Sequence, residues 1–78
     1  MKIQLGRCLL LERLHERGMT IDELAQALFY KPERLSDFIG NTRIMPLQAA
    51  ISIADTIGCN VRDLYELSPI EANHETGA

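Results

Sequence analysis

A chain of 78 residues with a formal net charge of −3 and 46% apolar residues is one small domain, able to bury only about 60% of the surface that its unfolded form exposes. Charged residues make up 24% and Trp is absent, an ordinary composition for a folded domain, and the negative total excludes a general electrostatic pull toward nucleic acid or an anionic membrane. Any affinity for DNA must therefore come from a local patch. No apolar run approaches the length of a membrane span, about 18 residues or more, and the N-terminus lacks a basic segment followed by an apolar core and a small-residue cleavage site. A cytoplasmic location without membrane contact is the expectation.

Across residues 3–17, Ile3, Leu5, Cys8, Leu9, Leu10, Leu11 and Leu14 recur at helical rather than alternating spacing, with Arg7, Glu12, Arg13, Glu16 and Arg17 on the other side. This predicts a first helix. Gly18, after basic residues in the last turn, suits a left-handed cap that stops it. Thr20 with Glu23 three residues later forms a capping box, so a second helix begins after Thr20, with Leu24, Ala25 and Leu28 inward. Pro32 suits the first position of a third helix, whose first amide would have no helical partner, and Leu35, Phe38 and Ile39 face inward. Gly, Asn, Thr and Pro crowd residues 40–46, a loop. A fourth helix is predicted over 47–57, with Ala50, Ile53, Ala54 and Ile57 inside and Gly58 ending it. Asn60 with Asp63 starts a short fifth helix through Leu67 that carries Val61, Leu64 and Leu67. Residues 68–78 are polar and read as a flexible tail. No segment alternates well enough to predict a strand. The expected fold is all-α, a compact five-helix domain over 1–67 with a C-terminal tail over 68–78.

The two cysteines, Cys8 and Cys59, fit neither a disulfide framework nor a paired zinc-ligand spacing, and are expected to be reduced and structural. Cys8 and His15, seven residues apart, would share one face of the first helix, a spacing that suits a nucleophile and base or two metal ligands. Against this, Cys is among the most buried residue types, His15 adjoins the charged end of the helix, and no third orienting group accompanies them. No phosphate-cradling Gly-rich loop or metal-binding helix motif occurs. Neither catalysis nor a cofactor or metal is expected.

ERGMTIDELAQAL leading into PERLSDFIGN, and then AISIADTIGCNVRDLYEL, resembles the helix-turn-helix domain of the lambda-repressor/Cro (XRE) family over roughly residues 5–67. The most specific points are Gly18-Met19-Thr20, Glu23-Leu24-Ala25, Leu35-Ser36, Ile53-Ala54, Gly58 and Asp63-Leu64. The resemblance implies a transcription regulator whose second helix crosses the DNA backbone and whose third enters the major groove. The groove admits one helix, whose outward N-terminal side chains reach base edges. By position these are Lys31, Pro32, Glu33, Arg34, Ser36 and Asp37. Lys31 and Arg34 suit phosphate or guanine, Ser36 can donate, and Glu33 and Asp37 suit a cytosine amino group rather than phosphate.

The chain departs from the family pattern at identifiable positions. Ile21 stands where Gln usually contacts the backbone, Phe29 where the turn between the two helices usually has Gly, and Lys31 where Ser or Thr usually caps. Ile39-Gly40-Asn41 replaces Glu-Asn-Gly. A bulky residue at positive φ is costly, so either the turn is altered or the second helix runs on.

Two functions follow. The first is a sequence-specific DNA-binding regulator or repressor of a phage or mobile element, acting as a homodimer on a double-stranded DNA operator. Lys31, Glu33, Arg34, Ser36, Asp37, Asn41 and Arg43 would be its DNA-contacting set. The second is a helix-turn-helix module turned to a protein partner, an antirepressor or accessory factor, through Ile21, Phe29, Tyr30 and the acidic groups. Phe29 and Tyr30 are otherwise a lid over the core. Leu64, Tyr65, Leu67 and Ile70 would form a dimer surface or complete the core of one chain.

Overall fold

The computed structural model of the chain describes residues 2–70. In chain order the elements are strand β1 (Ile3–Cys8), helices α1 (Leu10–Arg17), α2 (Ile21–Leu28), α3 (Pro32–Ile39) and α4 (Leu47–Ile57), a 3-10 helix (Val61–Leu64), and strand β2 (Tyr65–Pro69). The two strands pair antiparallel. Over the described residues the fold is thus four α-helices with a two-stranded ribbon, and the expectation of five helices and no strand is corrected on both sides of the helical body.

At the N-terminal end the first predicted helix splits. Only Leu10–Arg17 is helical, while Ile3–Cys8 pairs with Tyr65–Pro69. Pairing with the far end of the chain and Gly6 together favour the strand. Gly6 would weaken a helix interior by roughly 1 kcal/mol, and in the ribbon it admits a neighbour so close that a Cβ there would lie 3.1 Å from Glu66 Cβ. At the C-terminal end the capping box of Asn60 and Asp63 forms as expected, but it opens a single 3-10 turn, after which Tyr65 is fully extended at φ −141, ψ 150. Ser68 and Pro69, expected in the tail, belong to β2, and the ribbon is extended by the Ile70 amide donating to the Lys2 carbonyl at 3.0 Å. The rest of the predicted tail, 71–78, lies outside the described residues.

The ribbon contains a β-bulge. Leu5 pairs with Leu67 and Cys8 with Tyr65, so Gly6 and Arg7 together face Glu66 alone. The polar groups that the bulge leaves unpaired find side-chain partners. The Arg7 amide donates to Glu66 Oε1 at 3.2 Å, the Cys8 amide donates to Asn41 Oδ1 at 3.1 Å, and Asn41 Nδ2 donates to the Gly6 carbonyl at 3.3 Å.

The helical body follows its local signals. The capping box at Thr20 is complete: the Glu23 amide donates to Thr20 Oγ1 at 3.1 Å, and the Thr20 amide to Glu23 Oε1 at 2.8 Å. Pro32 opens α3, and α4 spans Leu47–Ile57 with Gly58 closing it. Helices α1, α2 and α4 each run into a residue in the left-handed region, Gly18 at φ 65, Phe29 at φ 58 and Gly58 at φ 77. In each the next amide turns back to a carbonyl of the last turn: Met19 to Leu14 at 2.9 Å, Tyr30 to Ala25 at 2.9 Å and Cys59 to Ala54 at 3.0 Å. Phe29 therefore neither alters the turn nor prolongs α2; it adopts the conformation that Gly holds at the two other ends.

The core is built from Leu10 and Leu14 of α1, Leu24 and Ala25 of α2, Leu35 and Phe38 of α3, and Ala49, Ile53, Ala54 and Ile57 of α4, closed by Cys8, Met45, Leu64 and Tyr65. Tyr65 keeps its hydroxyl satisfied by accepting from the Met45 amide at 3.1 Å, and burial pushes both the Cys8 thiol and the Tyr65 phenol above their ordinary pKa values. Cys8 ends a strand, so the helix face imagined for it with His15 does not exist. Of the four residues weighed as a dimer surface, Leu64 and Tyr65 complete the core of one chain, whereas Leu67 is half-buried and Ile70 exposed. Among the described residues no helix is long and apolar enough to cross a membrane.

Candidate nucleic-acid interface

The core side of α3 is Leu35 and Phe38, with Ile39 partly covered. At about 3.6 residues per turn, the opposite side is Glu33 and Asp37, with Ser36 on one flank and Arg34 on the other. Lys31, Glu33, Arg34 and Ser36 are exposed and Asp37 half-buried. The helix is short and has no side-chain cap; Lys31 precedes it in extended conformation, and its carbonyl accepts from the Arg34 amide at 3.0 Å.

Two contacts order this face. Arg34 Cζ lies 4.4 Å from the centroid of the Tyr30 ring and 5.9 Å from that of Phe38, so the guanidinium is held as a cation over an aromatic face while the residue stays exposed. Arg43 Nε lies 3.6 Å from Asp37 Oδ2. The loop after α3 brings Arg43 there because the Thr42 and Arg43 amides both donate to the Asp37 carbonyl, at 2.9 and 3.2 Å. Phe29, Tyr30, Lys31, Glu33, Arg34, Asp37 and Arg43 together line one open cleft of about 430 Å³. Six of these seven side chains are polar or amphipathic, and cations flank two carboxylates.

Of the seven expected DNA-contacting residues, Lys31, Glu33, Arg34, Asp37 and Arg43 are gathered in this cleft, and Ser36 is exposed on the same helix. Asn41 is set apart. It adopts φ 60, and both ends of its side-chain amide are engaged with the β1 backbone. These two bonds tie the ribbon to the end of α3.

The residues weighed as a protein-binding face are divided between the core and the surface. Ile21 and Tyr30 pack against the core, and Phe29 alone stands clear, 95% exposed. The expectation of a lid holds for Tyr30, which packs against the core, and is overturned for Phe29 by its exposure. Tyr30 matters as the platform under Arg34; the four-residue spacing of Arg34 and Phe38 is a helical signal for the second contact, whereas Tyr30 lies before α3.

Residues 10–69 match the family of Cro/C1-type HTH DNA-binding domains. The chain is similar to YopS, an HTH-type transcriptional regulator derived from the SPbeta prophage in Bacillus subtilis (strain 168), with 36% identity over 66 residues that cover 83% of this chain and 89% of the relative. It is also similar to YotL, another HTH-type transcriptional regulator of SPbeta prophage origin in the same strain, with 32% identity over 55 residues, 69% of each chain. No solved structure shows significant similarity. With a capping box on the first helix of the pair, a tight left-handed turn and an outward polar face on the second, the chain belongs to the Cro/C1-type helix-turn-helix family and is a DNA-binding regulator of that kind.

Proposed function

We propose that the protein is a prophage or mobile-element repressor that acts as a homodimer on a partly palindromic operator, with α3 of each protomer in successive major grooves. The observation that carries this reading is the sorting of charge on α3: acceptors Glu33 and Asp37 in the middle of the outward face, cations Arg34, Lys31 and Arg43 at its margins. A helix lying in the groove presents its middle to base edges and its margins to the two phosphate walls. Lys31, Arg34 and Arg43 are then phosphate contacts, Ser36 a polar contact at the groove, and Glu33 and Asp37 acceptors for the amino group of cytosine. Arg43 keeps Asp37 paired in the free protein and can move to phosphate when Asp37 meets a base.

Dimer formation is supported by an apolar groove of about 350 Å³ between the ribbon and the start of α4, lined by Ile3, Leu5, Leu47, Val61 and Leu67 among others. Leu47 is 71% exposed there. Two half-sites are also what a small reading head requires for tight binding.

Selection of bound sequences from a random DNA library at moderate salt, followed by sequencing, tests the reading. The expected product is a motif of two inverted half-sites, each with a G·C pair, their centres about one helical turn apart. Arg34→Ala should weaken binding to that motif by about tenfold while the circular dichroism spectrum is unchanged. A library that yields no motif would overturn the function, and an asymmetric single site would overturn the homodimer.

A further inference from the structure

Phe29 combines two features that the fold does not need. Its backbone sits at φ 58, ψ 35, where Gly occupies the equivalent ends of α1 and α4, and its ring is 95% exposed. An exposed phenyl ring forfeits the burial that ordinarily favours an aromatic residue, and the left-handed backbone adds steric strain to it. Neither the turn nor the core accounts for a ring at this position, because the turn closes through main-chain hydrogen bonds that Gly would form equally well.

The ring is not isolated on the surface, however. It lines the same cleft as Lys31, Arg34 and Arg43, so whatever duplex those cations meet must pass beside it. We infer that Phe29 is a DNA-contacting residue that buries its ring on the carbon surface of the duplex, the thymine C5-methyl or the deoxyribose edge beside the groove. This rests on the α3 reading proposed above and adds an apolar component to it. A thymine methyl is the one apolar group that a base presents in the major groove, and contacts to it carry sequence information without charge. In a chain of net charge −3, such a contact supplies affinity that ionic strength does not screen.

The test compares wild type, Phe29→Gly and Phe29→Asn on the operator selected by the wild type, by fluorescence anisotropy across a salt series. Both substitutes tolerate the left-handed backbone, so a retained melting transition shows that the fold is intact. Each variant should bind about tenfold more weakly at every salt concentration. The slope of log affinity against log salt should equal that of the wild type, since no counterion is released by a phenyl ring; Arg34→Ala, by contrast, should flatten the slope. An operator with uracil in place of thymine separates the two carbon surfaces. If the ring meets the methyl, wild type falls to the level of Phe29→Gly; if it meets the sugar, the difference between wild type and variant persists on both operators, and either result supports burial on DNA. Affinity of Phe29→Gly within about twofold of wild type would overturn the inference, leaving a protein as the ring's partner. Because the operator is defined by wild-type selection, a failure to obtain one falls on the α3 reading and not on Phe29.

Discussion

Phe29 is a place where side-chain chemistry and backbone geometry disagree. A side chain in the left-handed region costs roughly 1–2 kcal/mol relative to the ordinary helical basin, and at 95% exposure the ring recovers almost none of this by burial. Phe29→Gly should accordingly stabilise the free protein by about 1 kcal/mol, which at this chain length raises Tm by about 4–8 °C. Calorimetry of the two proteins at matched concentration checks this, and a lowered Tm would mean that the ring does hold the turn. Stability and operator affinity thus move in opposite directions for one substitution, a signature that a structural role for the ring would not produce. The sequence marks the position, since Phe stands where a tight turn calls for Gly, but it leaves open whether the backbone or the helix end yields. The structure resolves that choice because the Tyr30 amide and the Ala25 carbonyl meet at 2.9 Å, a closure that requires positive φ between them.

The elements divide by how local their causes are. Helices α2, α3 and α4 were legible because each has its start or stop written in adjacent residues: Thr20 with Glu23, Pro32, and Gly58. The ribbon was not, because its evidence lies at opposite ends of the chain. Ile3 and Leu5 fit a helical pattern as well as a strand, and only pairing with Pro69 and Leu67 makes them extended. Gly6 was the one local sign against helix. The same non-locality hides the task of Asn41, which looks like a loop residue near a groove but satisfies Gly6 and Cys8, 35 and 33 residues away. The positions of the site residues on α3 follow from helical spacing, whereas the pairing of Arg43 with Asp37 depends on the path of the loop. Asn41→Gly keeps the positive φ and removes the amide. Hydrogen exchange should then show the Cys8 amide losing protection, with a loss of about 1–2 kcal/mol in unfolding free energy, and operator affinity of the folded variant should be nearly unchanged. Full protection at Cys8 together with a large drop in affinity would return Asn41 to the DNA-contacting set.

At the scale of the whole molecule the question is how a chain of net charge −3 approaches a polyanion. Its long-range field is unfavourable, so binding depends on a short-range arrangement in which cations stand nearer the phosphates than the carboxylates do. Arg34 is held in place by the Tyr30 ring, which lowers the entropy lost on ordering it at the interface, whereas Arg43 has to leave Asp37 to reach phosphate. On the proposed homodimer, three cations per cleft, Lys31, Arg34 and Arg43, would give about six phosphate contacts, and fewer where Arg43 stays with Asp37. Counterion release then sets a slope of log affinity against log salt of about −4 to −5, shallow beside about −10 for a strongly basic repressor. A salt titration of operator binding measures it directly. A slope near −10 would mean that cations outside the α3 cleft, such as Arg7 and Arg13, also touch the backbone; both are now held in ion pairs, with Glu12 at 2.7 Å and Glu16 at 2.9 Å, and would have to exchange carboxylate for phosphate. If the slope is as shallow as the cleft implies, most of the specific affinity has to come from contacts that release no counterion, which in the proposed reading are the acceptors Glu33 and Asp37 on base edges and the ring of Phe29 beside them.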